Sequence, residues 1–249
     1  MLALRYRLAV LAMLAFSLFF LTAKAYALWS SPVQLTNNDA INTSASLALD
    51  ANGKVHLVYQ SGKGTATEIY YATNATTDST WKTVRLTNNS LIDLVPDIAV
   101  DDSGVPHIVY AADDPLSAGG DLEIVYWKKV GSGFTASDFS RKKLTSNSRY
   151  DASPVIALYK GRPFIAWEKV FSDGRDIELM FATYVNGSWV KRRLTNNSNK
   201  VQDEYPDIAV DGRGRARVVF QRKAGSYDSE IFQFLIVNPD TRYLKKLTA

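Results

Sequence analysis

An all-β fold built from repeated four-stranded antiparallel blades, a β-propeller, is what this 249-residue sequence predicts, and three observations carry the expectation. The first is a recurring Leu-Thr followed by polar residues, at Leu35-Thr36-Asn37-Asn38, Leu86-Thr87-Asn88-Asn89, Leu144-Thr145-Ser146-Asn147 and Leu194-Thr195-Asn196-Asn197, and once more at Leu247-Thr248. The second is the hexapeptide Pro-Asp-Ile-Ala-Val-Asp, written twice, at 96–101 and 206–211. The third is the order of events inside each interval of 51, 58, 50 or 53 residues, where the same apolar runs and glycine turns return in the same sequence. A period near 50 residues holding four strand-like runs is the length of one propeller blade.

Taken from the start, the chain opens with Arg5 and Arg7, an apolar run from Leu8 to Leu21, and the small-x-small sites Ala23-Lys24-Ala25 and Ala25-Tyr26-Ala27. That is the pattern of an export signal over residues 1–27, too short to span a bilayer comfortably as a permanent helix. Residues 28–249 then form the repeat domain, with units beginning near 35, 86, 144 and 194. Each unit starts with a short apolar strand: Leu47-Ala48-Leu49, Ile98-Ala99-Val100, Ile156-Ala157-Leu158 and Ile208-Ala209-Val210. A glycine turn follows at Gly53, Gly104, Gly161 and Gly214, and a second strand after it, as in His107-Ile108-Val109-Tyr110. A polar loop leads to a third strand opening with Glu68, Glu123, Glu178 or Glu230. A fourth, more polar strand returns to Leu-Thr. β-Branched and aromatic enrichment between turn residues supports each strand, and the gradient from apolar to polar suits a sheet whose outer strand meets water. An additional strand at Ser30 to Leu35 matches a fourth strand, which leaves two readings open: a four-bladed ring with a spare terminal strand, or a piece of a larger ring.

Composition narrows the function. The chain carries 29 Lys plus Arg against 25 Asp plus Glu, and removal of Arg5, Arg7 and Lys24 with the leader leaves 26 against 25. The remainder is close to neutral, without the basic footprint of a nucleic-acid binder. No cysteine is present, so thiolate nucleophiles, thiolate metal sites and disulfides are all excluded.

The Leu-Thr-Asn-Asn, Pro-Asp-Ile-Ala-Val-Asp, His-Ile-Val-Tyr and Glu-Ile-Tyr-Tyr segments, with a tryptophan ahead of the next Leu-Thr, make the units resemble those of sialidase-like and TolB-like β-propellers. The resemblance covers residues 29–248 and implies a fold rather than an activity, since such blades serve enzymes, adhesins and scaffolds alike. Thr76-Thr77-Asp78-Ser79-Thr80-Trp81 and Asn186-Gly187-Ser188-Trp189 are eroded versions of the sialidase turn, and neither an arginine triad nor the TolB Trp-Ser-Pro-Asp-Gly strand is present.

The repeat supplies its own control, because a residue type found in every unit serves the blade, whereas a residue that breaks the pattern can serve one site. By that standard Glu68, Glu123, Glu178 and Glu230 are structural. His56 and His107 share one repeat position and read as packing residues, and Asp50, Asp101 and Asp211 as turn-bonding residues. Asp101-Asp102-Ser103-Gly104 is similar to the start of a calcium loop but lacks the acidic residue that would complete it, so the cofactor expectation is none, with calcium as the minor alternative. Five glycosylation sequons stand at Asn42, Asn74, Asn88, Asn186 and Asn196. Asp93, Asp151 and Asp203 each precede a first strand by the same interval, with Asn42 in their place in the first unit. They are expected at the mouth of the central channel beside the pattern-breaking Arg149, Glu168, Arg175 and Glu204. Asp113, Asp114, Asp173, Arg222 and Lys223 come from adjoining loops. The ligand-binding candidates are therefore Asp93, Arg149, Asp151, Glu168, Arg175 and Asp203, with turn capping as the competing role for the three aspartates. No nucleophile elbow, phosphate loop or dinucleotide fingerprint occurs. The expectation is an exported or cell-surface (or periplasmic) binding module for a glycan or a protein, with no membrane span after the leader. The alternative is a glycosidase-like or sialidase-like hydrolase using carboxylates at the channel mouth.

Overall fold

The structure, a computed structural model, describes residues 31–63, 66–76, 80–113, 121–172, 176–197, 201–223 and 228–248. The leader expected over 1–27 lies outside them, as do Arg175, Asp114 and Asp173. The chain divides into two units, 1–37 and 38–249. In the first, residues 31–37 are irregular, so the strand expected at Ser30 to Leu35 is not formed by its described residues. A strand needs a neighbour to take its hydrogen bonds, and every third strand of the described sheets already carries a fourth.

The described residues of the second unit hold sixteen strands and one 3-10 turn at Ala136–Asp138. They make four antiparallel groups of four. The first group is β1 (Ile41–Leu49), β2 (Val55–Lys63), β3 (Ala66–Thr73) and β4 (Lys82–Arg85); the second is β5 (Asp93–Val100), β6 (Pro106–Asp113), β7 (Leu122–Lys129) and β8 (Phe139–Lys143). The third is β9 (Asp151–Tyr159), β10 (Arg162–Ser172), β11 (Asp176–Val185) and β12 (Ser188–Arg193); the fourth is β13 (Gln202–Val210), β14 (Ala216–Lys223), β15 (Ser229–Asn238) and β16 (Thr241–Lys246). Within each group the strands pair in chain order, as short hairpins dictate. The first and second groups, and the third and fourth, also touch through single parallel pairs, Thr67 with Ile92 and Ile177 with Gln202.

The first strands pack side by side, β1 against β5, β5 against β9 and β9 against β13. Three apolar clusters fill the spaces between successive groups. Val58, Ile69 and Tyr71 meet Ile98, Ile108 and Phe139; Ile124, Tyr126 and Leu144 meet Ile156, Ile165 and Trp167; Leu179, Phe181 and Leu194 meet Ile208, Val218 and Phe220. The aromatic before the next Leu-Thr belongs to this packing: Phe139 stands edge-on to Tyr71 at 5.5 Å and Trp189 edge-on to Tyr126 at 5.0 Å.

The turns obey local chemistry. The carboxylates of Asp50, Asp101 and Asp211 each accept backbone N–H bonds from residues two and four further on, at 2.8–3.1 Å. Gly53, Gly104 and Gly214 close those turns with φ of 73°, 76° and 75°.

The first strands are longer than their apolar cores suggest, because each continues through a bulge. Register shifts fall between Thr43 and Ser46, Leu94 and Asp97, and Glu204 and Asp207. A fourth lies in β9, where Ser153 and Pro154 stand opposite the single β10 residue between Ala166 and Glu168. At each bulge one non-glycine residue is left-handed: Ser44, Val95, Ser153 and Tyr205, with φ of 50°, 46°, 50° and 55°. Asp93 and Asp151 are therefore the first residues of strands and Asp203 the second, rather than loop residues.

Candidate functional site

Two sets of polar residues meet where one group of strands hands over to the next. The first set is repeated and ties the groups together. Thr87, Thr145 and Thr195 accept the backbone N–H bonds of Ile69, Ile124 and Leu179 at 2.9, 2.7 and 2.9 Å. The glutamate beside each of those residues takes the next donor. The backbone N–H of Asn89 reaches Glu68 at 2.7 Å, and those of Asn147 and Asn197 reach Glu123 and Glu178. The same three asparagines then donate from their side chains to the aspartate opening the following group, Asn89 to Asp93 at 3.0 Å, Asn147 to Asp151 at 2.6 Å and Asn197 to Asp203 at 2.6 Å. One Thr-x-Asn segment thus clasps the third strand of one group to the first strand of the next. This accounts together for the Leu-Thr-Asn-Asn signature, the recurrent glutamate and the recurrent aspartate. The carboxyls of Asp93 and Glu123 are held above their ordinary values, chiefly by burial.

Asp93, Asp151 and Asp203 are all buried, each in its own clasp. Asp151 also accepts the indole N–H of Trp167 at 2.7 Å and faces Lys169 at 3.3 Å. Asp203 is gripped by Arg222, whose Nε and Nη2 donate at 2.7 and 2.9 Å in the two-pronged guanidinium geometry. Arg149 is exposed, its guanidinium 5.6 Å from the Phe171 ring centre, and Arg193 and Lys169 lie over the same ring at 4.0 and 5.9 Å.

The second set is not repeated. Glu168 on β10 accepts the backbone N–H of Tyr205 through one oxygen at 2.6 Å and the Ser153 hydroxyl through the other at 3.1 Å. It thereby bridges the bulges of β9 and β13. In the first group Gln60 holds the same repeat position and accepts the N–H of Val95 at 2.9 Å, while Ala111 and Gln221 occupy it in the second and fourth groups. An amide suffices for holding the bulge, so the carboxylate at 168 is an excess of charge at one place. Burial pushes its carboxyl above the ordinary carboxylate range, the two hydrogen bonds oppose the rise, and the charge of neighbouring Glu204 adds to it. A second acidic pair lies on the same inner strands. Asp97 accepts the Ser46 hydroxyl at 2.6 Å and the Ile156 N–H at 2.8 Å, and its carboxyl is likewise raised, mainly by burial with a contribution from Asp207. Of the residues singled out from sequence, Glu204 lies near enough to Glu168 for its charge to raise the Glu168 carboxyl, and Tyr205, next in the chain and bonded to Glu168 through its N–H, has an exposed side chain. Tyr205 and Phe171 were not foreseen; both break the repeat, and that was the available signal. Among the described residues no three His, Cys, Asp or Glu side chains are grouped as a metal ion would need.

No family model matches the chain, and no curated protein matches it. Solved structures do. A protein of unknown function from Dyadobacter fermentans superposes with a TM-score of 0.61 at 11% identity, over 84% of this chain and 70% of its own. A microbial sialidase, Hz136, gives 0.57 at 12% identity over 83% of this chain and 46% of the sialidase, so the chain spans about half of that enzyme. The α-L-arabinanase of Penicillium chrysogenum, solved with arabinobiose, gives 0.55 at 13% identity over 84% and 68%. At such identities the likeness is one of fold: four-stranded antiparallel sheets of the kind found in propeller-type carbohydrate-active enzymes, in keeping with the resemblance to sialidase-type repeats.

Proposed function

We propose that this chain is a carbohydrate-active propeller-type protein that hydrolyses a glycosidic bond at the inner rim of its first strands, with Glu168 as proton donor and Glu204 as its paired carboxylate. The observation carrying the reading is Glu168 itself. It is a carboxylic acid where an amide performs the structural task next door, and its affinity for a proton is raised by burial and by a second glutamate. Glycoside hydrolysis requires two carboxyl groups, one to protonate the leaving oxygen, a task the raised proton affinity of Glu168 suits, and one to activate water or attack the sugar. Asp97 and Asp207 would add negative charge towards the developing oxocarbenium ion, and exposed Tyr205 offers a flat face for a sugar ring. Glycosidases and a lyase among the fold neighbours support this choice over the purely binding role expected from sequence. The export signal read from Arg5, Arg7 and the apolar run 8–21 would deliver the protein to extracellular glycans, and a mature N-terminus near residue 28 would establish it.

A binding-only role has one observation in its favour, since both Glu168 oxygens already accept hydrogen bonds from the protein. Reducing-sugar release from a panel of oligosaccharides, arabino-oligosaccharides included, separates the two. Wild type should release sugar, Glu168→Gln and Glu204→Gln should not, and both variants should still bind. Binding of the same oligosaccharides by wild type with no release from any of them would refute hydrolysis.

A further inference from the structure

The repeat shows what each face of a group looks like when covered, and two faces are uncovered. In β5, β9 and β13 the first-strand positions Ile98, Ile156 and Ile208 are 4%, 6% and 8% exposed, because each is packed against the preceding group. Leu47 holds the same position in β1 and is 62% exposed. On the opposite face, Ile69, Ile124 and Leu179 are wholly buried against the following group, whereas their counterpart in the fourth group, Ile231, is 40% exposed. Leu86, Leu144 and Leu194 are buried, and their counterpart Leu247 is 46% exposed. No packing comparable to that between the other first strands joins β13 to β1 among the described residues.

The polar clasp is also half-built at these two faces. Glu230 receives Lys246 at 2.8 Å and the Thr248 hydroxyl, and Ile231 donates its N–H to Thr248 at 3.1 Å, matching the interior clasps. At the other face Asn38 and Asn42 hold the places of Asn89 and Asp93 and are joined by a bond of the opposite sense, Asn42 donating to Asn38 at 2.9 Å, and among the described residues no glutamate accepts the Asn38 backbone N–H. Ile41, whose counterparts Ile92 and Gln202 make the parallel pairs between groups, is 69% exposed. Each face lacks what the other presents.

We infer that these faces bind each other between two copies of this chain, the Ile231 and Leu247 face of the fourth group seating the Leu47 and Ile41 face of another copy's first group. The junction repeats, in trans, the group-to-group interface that the chain makes three times internally. Exposed apolar surface of this kind marks an interaction site, and the contact is heterologous, with different surfaces on the two sides. Its polar part would be Asn38 donating to Glu230.

Mass measurement by light scattering over a concentration series, on wild type, Leu47→Glu and Ile231→Lys, tests this. Wild type should have the mass of two or more chains, and each variant should be monomeric with an unchanged melting curve, since both positions are exposed. Mixing the two variants should restore a dimer, because each retains the face the other has lost, an outcome a self-complementary contact would not give. A wild type that stays monomeric throughout, with both faces left for further blades of a longer polypeptide, would overturn the inference. So would variants that associate as wild type does, or a mixture in which both remain monomers.

Discussion

Replacing Asp151 by alanine removes the acceptor at the centre of the second clasp, and the structure sets the cost. Asp151 and Trp167 are both fully buried, and Lys169 is 14% exposed in its side chain. Loss of the carboxylate strands the indole N–H and takes from the Lys169 ammonium its counter-charge, leaving Asn147 as its acceptor at 2.6 Å. An unpaired buried donor costs about 1–3 kcal/mol and a broken buried ion pair about 3–5 kcal/mol, and the two penalties overlap here. A loss of about 4 kcal/mol is expected, or about 10 °C in melting temperature for a chain of this size. Asp93→Ala is the internal control. Asp93 receives Asn89 and no indole, its burial already favours the uncharged form, and about 1–2 kcal/mol should be lost. Urea denaturation with matched m-values gives both numbers. Equal losses in the two variants, or a loss below about 1 kcal/mol in Asp151→Ala, would refute the clasp as the role of these aspartates.

Acid should unfold the protein through its buried histidines. His107 shares a 2.7 Å hydrogen bond with the Tyr126 hydroxyl, with Asp101 and Lys128 as its charged neighbours, and burial holds its folded-state value near 4 against an ordinary 6.5. Between those values only the unfolded chain binds the proton, so stability falls as pH drops through that window, by on the order of 3 kcal/mol. The double variant His107→Phe/Tyr126→Phe, borrowed from Phe164 and Phe181 of the third group, should flatten that part of a melting-temperature profile, and an unchanged slope would contradict the assignment. Thr145→Val keeps the shape but leaves the Ile124 N–H without its acceptor, so urea denaturation should show a loss of about 1–3 kcal/mol. Gly214→Ala should destabilise more than Gly53→Ala: both positions have positive φ, but a Cβ at 214 would meet the Tyr159 ring at 2.8 Å whereas that at 53 meets nothing within 4 Å. Equal melting temperatures in the two would count against that packing.

The blades were legible because their strands are short, their turns carry glycine and aspartate, and each event recurs four times. Asp50, Asp101 and Asp211 could be assigned to their turns from local bonding alone. The bulges could not, because the left-handed residues are Ser44, Val95, Ser153 and Tyr205, and three of the four precede proline, a context that points towards extended backbone. Strain of that kind is fixed only by the surrounding sheet, and at Val95 and Tyr205, in the second and fourth groups, the partners are Gln60 and Glu168, far away in sequence. The recurrent glutamates read as structural and are so. The aspartates stood between channel mouth and turn, and their bonding to Asn89, Asn147 and Asn197 is a contact between groups that no single unit contains. Glu168 and Glu204 were visible as breaks in the pattern, and what drew them together is the packing of β10 and β13, which spacing does not reveal.

Glu168→Gln divides structure from function at one atom. Gln60 shows that an amide oxygen can cap the bulge N–H, so the variant should keep the fold. Because the folded-state value of Glu168 is raised, its ionisation weakens the native state as pH rises, and removing it should leave the protein at least as stable as wild type at neutral pH. Melting temperature and sugar release measured on one preparation give both answers. The account predicts an equal or higher melting temperature with release abolished; a lower melting temperature with release retained would contradict it.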